Sequence, residues 1–165
     1  MKVEELSADG LAYRRTFVVP CDPLHAFKEF TSGQGGWWPH DHRRGPQPVL
    51  GIGFEPAVGG DWYERSIDGS RVRRGKVLVW DPPRRVVGEW PLMLGVDASI
   101  DEVGTSELDV RFNEHREGAT RVDLEHRGMH FNTRPDFVRR MFFSPYGWDL
   151  VVDNFSAYLA SEPWR

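Results

Sequence analysis

Cysteine is almost missing from this 165-residue chain. Its one copy, Cys21, cannot close an intramolecular disulfide or build a cysteine-based zinc cluster. It sits beside Asp22 and Pro23 with no histidine pattern around it, so it reads as a small packed apolar residue. Long apolar runs are missing too: none approaches the about 18 residues of a membrane span. The opening MKVEELSADG lacks the apolar core of a signal peptide. There is no excess of positive charge, and a formal net charge of −4 argues against a dedicated nucleic-acid or anionic-membrane surface. The pairs Arg43-Arg44, Arg73-Arg74, Arg84-Arg85 and Arg139-Arg140 are scattered among acids and read as solvated strand ends and turns. No phosphate-cradling loop, nucleophile motif or EF-hand spacing occurs, nor any repeat, linker or low-complexity segment. The expectation is a soluble cytoplasmic protein with no cofactor, no nucleic-acid partner and no membrane partner.

What is present is a globular composition, 39% hydrophobic and 13% aromatic, in a length that suits one domain over 1–165 with its core at about 12–160. LAYRRTFVV (11–19) alternates as a strand does. CDPLHAFKEFTSG then changes period: Asp22 is a good N-cap, Pro23 fits the first helical position, and Leu24, Phe27 and Phe30 stand at helical spacing. Gly33 to Gly36 interrupt that helix, Trp37-Trp38 belong to a short second turn, and Pro39 to Pro48 form a loop. Strands follow at 49–55, with Leu50, Ile52 and Phe54 on one face, then over DWYERS, 71–81, 85–90, 105–115 and 120–128. Leu108, Val110 and Phe112 alternate with Glu107, Asp109 and Arg111, and Val122, Leu124 and His126 share the inward phase of the next strand. A long connection is expected over 91–104 and a short helix over 135–143. From Tyr146 a longer helix carries Trp148, Val151, Val152, Phe155 and Leu159 in one apolar stripe, with Asp149, Asp153 and Asn154 facing away. One apolar sheet face and one apolar helix stripe need each other, which predicts a two-layer α+β fold.

Several collinear segments carry a family resemblance: WWPHDH (37–42), FEPAVGGDWYERSIDGS (54–70), GKVLVWDPPRRVV (75–87), TSELDVRF (105–112), TRVDLEHRG (120–128) and GWDLVVDNFSAYL (147–159). Together the chain resembles the START-like (SRPBCC) superfamily, in its bacterial branch similar to the C-terminal domain of the heat-shock-protein ATPase activator. The resemblance implies a helix-grip fold. In it a curved antiparallel sheet of six to seven strands wraps a long C-terminal helix, with one or two short helices after the first strand and a cavity between sheet and helix. It implies no single function, since members include co-chaperone domains, small-molecule carriers and cyclases. Gly88 and Asp61 depart from the family pattern, which tends to larger apolar and basic residues there.

The candidate site follows from these placements. Trp37, Trp38, Trp62, Phe112, Trp148 and Phe155 are expected to line or close a cavity that binds a small, largely apolar molecule, with Glu64 and His126 as its few polar contacts. Glu64 shares the inward face with Trp62, and His126 sits on an apolar phase, so the two could meet inside as an acid–base pair. That is the alternative reading, an enzyme of cyclase, dehydratase or hydrolase type. The other alternative is an interaction module regulating a chaperone ATPase, with a protein partner. His40 and His42 at H-x-H spacing could share a metal if the segment were extended, with His25, His126 or His130 as a third ligand. The rigid lip of a cavity is the preferred reading, with no metal assigned. Glu107, Asp109, Arg111, Arg121, Asp123 and Glu125 read as cross-strand charge pairs on the outer face.

Overall fold

The computed structural model describes residues 3–7, 10–42, 48–91, 105–129 and 140–161. Eight strands among them form one antiparallel sheet: β1 (Val3–Ser7), β2 (Gly10–Val19), β3 (Val49–Phe54), β4 (Asp61–Ser66), β5 (Arg71–Asp81), β6 (Arg85–Pro91), β7 (Thr105–Arg116) and β8 (Ala119–Arg127). Their order is β1-β2-β8-β7-β6-β5-β4-β3. The strand beyond the expected six to seven is β1, which pairs with β2 from Val3↔Arg14 to Ser7↔Gly10. Between β2 and β3 lie α1 (Pro23–Ser32) and two 3-10 turns, Gln34–Gly36 and His40–His42; helix α2 (Trp148–Ala160) closes the fold. The curled antiparallel sheet with a C-terminal helix is the architecture expected. Past Pro91, which ends β6, the connection over 91–104 lies outside the described residues, as does most of the helix over 135–143. No helix among the described residues is long and apolar enough to cross a membrane.

Local chemistry explains the helix starts. The Asp22 carboxylate accepts the N–H of His25 at 2.9 Å, and Pro23 occupies the first turn. Helix α1 buries Ala26, Phe27 and Phe30, while Leu24 is 47% exposed and stands off the stripe. In α2, Trp148, Val151, Val152, Phe155 and Leu159 are buried, as the periodicity predicts. Asp149 does not face away. It is buried on the flank of the stripe next to β2, where its Oδ1 accepts the Tyr13 hydroxyl at 2.7 Å. Burial, with the Asp149 carboxylate beside it, pushes the Tyr13 hydroxyl pKa up.

Two bulges re-aim side chains that alternation alone would place elsewhere. The register of β3 shifts between Val49 and Gly51, so Leu50 points out, 66% exposed, while Ile52 and Phe54 stay in the core. In β5, Trp62 opposes Gly75 and Tyr63 opposes Arg73, leaving Arg74 as the extra residue. Arg74 and Gly75 are both buried in consequence, so of the Arg73-Arg74 pair only Arg73 is solvated. A Cβ on Gly75 would lie 1.7 Å from the Glu89 carbonyl oxygen, so the bulge requires glycine. Gly88 has its own steric reason: Phe54 and Trp62 stack at 4.8 Å and 13°, and a Cβ there would stand 3.0 Å from the Phe54 ring. Asp61 lies 3.9 Å from Arg73 at the surface.

The outer sheet face carries the expected charge ladder, centred on Asp109. Arg85 binds it through two bonds of 3.0 and 2.8 Å, and Arg127 spans Asp109, Glu107 and Glu125. Burial alone would raise the Asp109 carboxyl; the two guanidiniums outweigh it and hold it below the usual carboxylate range. A carboxyl lowered in the folded state adds stability above its unfolded pKa, and that stability is lost as pH falls through the folded value. Wild type is therefore expected to be more stable than Asp109→Asn at pH 7, with the gap shrinking as pH falls below about 4. Urea denaturation of both proteins at pH 7 and pH 3 checks it, and a gap that does not change with pH would refute the assignment.

Candidate ligand-binding site

The stretch GGWWPHDH is shaped by the residue before it. The Gln34 backbone carbonyl accepts the N–H groups of Trp37 (3.2 Å) and Trp38 (2.8 Å), which folds the two tryptophans inward. Gly35 packs against Gly51 of β3, and Gly36 against the ring of Tyr158 in α2; a Cβ on either would stand within 3.2 Å of its neighbour. Trp37 lies against Phe155 at 4.6 Å and Phe30 at 5.4 Å, and its Nε1 donates to the Glu29 carbonyl. Trp38 meets Trp62, Trp90 and Trp148 at 6.1 to 6.2 Å.

Outside this lip a cleft of about 790 Å³ opens between residues 35–42 and one side of α2, which contributes Leu150, Asn154, Ala157 and Tyr158. His40 and His42 lie in a 3-10 turn, not an extended segment. At about three residues per turn, positions i and i+2 diverge, so the shared-face geometry behind the metal reading is not formed. Among the described residues no cluster of three or more potential ligands could hold a metal. Burial and, to a lesser degree, the Arg74 charge lower the pKa of His42, against an opposing hydrogen bond to the Tyr146 backbone and the nearby Asp41 carboxylate.

Behind the lip, the inward row of β4 is Trp62, Glu64 and Ser66, all buried. Glu64 is bonded to the bulged Arg74 at 3.1 Å, with side chains 0% and 2% exposed. The Arg74 guanidinium stands 4.9, 5.2 and 5.7 Å from the ring centres of Trp38, Trp62 and Trp90, and Nη1 also donates to the His42 carbonyl. Three indoles thus box a cation supplied by the protein itself. The Trp62 indole donates to Gln34 Oε1 at 3.0 Å. Arg74 and Gln34 were not singled out in the sequence. Arg74 is aimed inward by a bulge, and Gln34 sits among glycines with no periodic signal.

His126 lies in a defined chain. The Trp148 indole, which only donates, bonds Nδ1 at 2.9 Å. The ring proton is therefore on Nε2, which meets Ser106 Oγ at 2.6 Å; Ser106 in turn donates to the Trp90 carbonyl at 2.8 Å. With Nε2 acting as donor, His126 cannot take a proton from Ser106. The Trp90 ring lies 5.0 Å from both His126 and Trp62, and Glu64 is bonded to Arg74. Phe112 packs on Phe27 and Phe30, and Phe155 on Phe17, Phe30 and Trp37. Of the eight candidate residues, Trp37 and Trp38 line the cleft, while the other six lie in the core, each no more than 2% exposed.

The curled antiparallel sheet with a C-terminal helix and the solved structures it resembles are consistent with a START-like (SRPBCC) fold, one that binds ligands. No family model and no curated protein matches the chain. Among solved structures, it is similar to Txn09, an anthrahydroquino-γ-pyrone synthase solved as a complex, at 28% identity over 88% of this chain and 95% of that one, TM-score 0.55. It is also similar to CalC, a self-sacrificing resistance protein from Micromonospora echinospora, at 25% identity over 88% and 92%, TM-score 0.61. A protein from Arthrobacter aurescens shares the fold at TM-score 0.65, with 16% identity over 99% and 92%.

Proposed function

We propose that this protein binds a small, largely apolar molecule at the junction of the sheet, the tryptophan lip and α2. The cleft carries the reading. Its volume of about 790 Å³ falls in the range of small-molecule sites, and Trp37 and Trp38 form its wall with the remaining tryptophans of the core behind them. The neighbours with a quarter or more identical residues, a synthase and a resistance protein, support a small-molecule role. The commitments of Glu64 to Arg74 and of His126 to Trp148 favour binding over acid–base chemistry by those two residues.

The test fills the cleft from outside. Ala157 is exposed on α2, so Ala157→Trp adds a ring to the cleft without touching the core. Affinity for the apolar dye 1-anilinonaphthalene-8-sulfonate is expected to fall by about tenfold or more, with the unfolding midpoint unchanged. Native mass spectrometry of freshly purified protein is expected to show an added mass of small-molecule size. Wild type that neither binds the dye nor carries added mass overturns the reading.

The second reading, a module regulating a chaperone ATPase, rests on the resemblance to the heat-shock-protein activator and on two exposed apolar side chains, Leu50 and Ile67, at the β3 edge of the sheet. Stimulation of a purified heat-shock ATPase, lost in Leu50→Asp, would support it.

A further inference from the structure

Helix α2 carries a second stripe beside the one that faces the core. Leu150, Asn154, Ala157, Tyr158 and Ser161 stand at i, i+4, i+7, i+8 and i+11 and form the helix wall of the cleft. Asn154 is half-buried in that wall, one turn from Leu150 on one side and from Tyr158 on the other. Its carboxamide makes no hydrogen bond with any of the described residues. Several other polar groups of the cleft are used inside the protein. The Trp37 indole donates to the Glu29 carbonyl and the Trp38 indole to the His42 carbonyl. The His42 ring is bonded to the Tyr146 backbone, and the Ser161 hydroxyl donates to the Tyr158 carbonyl. Asparagine is a weak helix former, and Asn154 sits in the middle of α2, away from both caps. A leucine would suit both the helix and an apolar wall better, so the fold alone gives no reason for the carboxamide.

We propose that Asn154 is a specificity-determining residue of the cleft, and that the ligand is a planar aromatic molecule with a cyclic amide edge, an N–H beside a C=O. A carboxamide holds its Oδ1 acceptor and its Nδ2 donor side by side in one plane. The group that engages both at once is another amide whose N–H and C=O are held cis, as a lactam ring holds them. A ketone or an ether uses the donor alone. Trp37, Trp38, Tyr146 and Tyr158 also line the cleft and supply the aromatic surface for the rest of the ring system. The inference rests on the binding reading above and names the chemistry of its ligand.

The pair 2-quinolone and coumarin tests it, two bicyclic molecules of one shape in which the ring N–H of the first is a ring oxygen in the second. Equilibrium dialysis against wild type is expected to show 2-quinolone bound about five- to tenfold more tightly than coumarin. In Asn154→Leu the preference should vanish while coumarin binding persists. In ¹⁵N-labelled wild type, 2-quinolone should shift the Asn154 side-chain amide pair. Equal binding of the two to wild type overturns the inference and leaves the binding reading standing. Binding of neither also overturns the inference, and the binding reading then stands or falls by the dye and the added mass. A preference that survives in Asn154→Leu, or an amide pair unmoved by bound 2-quinolone, overturns the role of Asn154. The amide readout uses wild type, so the inference is decided even if the variant does not fold.

Discussion

Replacing Arg74 by alanine is expected to cost about 3–5 kcal/mol of folding stability. Three things are lost together. Glu64, fully buried, is stripped of the guanidinium 3.1 Å away. The three indoles of Trp38, Trp62 and Trp90 lose the cation they enclose, and the His42 carbonyl loses a donor that ties the lip to β5. The bulk of the effect is the stranded carboxylate, because a buried charge without its partner is costlier than the pair was favourable. The double variant Glu64→Leu/Arg74→Met is therefore expected to recover most of the loss, as apolar side chains of similar volume replace the pair. Urea denaturation of wild type, both single variants and the double variant measures this coupling. Single losses that simply add in the double variant would show that the pair is not the source.

Trp148→Ala is expected to cost about 3–5 kcal/mol as well, through a cavity at the centre of the aromatic core. Trp148 touches Tyr13, Trp38, Trp90 and His126 and is 2% exposed, so few neighbours are free to collapse into the space. Trp148→Phe separates packing from hydrogen bonding: much of the ring volume remains, and the loss is expected near 1 kcal/mol for the bond to Nδ1. The bond has its own signature. Imidazole ¹⁵N spectra of wild type should show His126 as the Nε2–H tautomer alone, and Trp148→Phe should release that restriction. A mixed tautomer in wild type would contradict the chain from Trp148 to Trp90.

Much of the candidate site was legible from alternation. Trp62 with Glu64, and Val122 with Leu124 and His126, share inward faces as period two requires, and the α2 stripe faces the core as period 3.6 requires. Trp37 and Trp38 stand beside the cleft that the proposed binding uses. The misreadings have distinct causes. Leu50 and Arg74 changed sides because each sits at a bulge, and a bulge reverses the phase for every residue beyond it. Asp149 turned inward because Tyr13, 136 positions away in the chain, offers it a hydroxyl there. Gln34 carries no periodic signal and gains its place from a single indole on β4.

By itself the sequence determined strands β2 to β8, helices α1 and α2, the N-terminal cap of α1, and most of which faces are apolar. Those depend on neighbours within one turn or one pleat, where backbone geometry sets the spacing. Only the tertiary structure decided which buried polar groups meet: Glu64 with Arg74, His126 with Trp148 and Ser106, Gln34 with Trp62. Those pairings depend on sheet register, on bulges and on where α2 lies against the sheet. All three are settled by the packing of the whole core, and no local spacing records them.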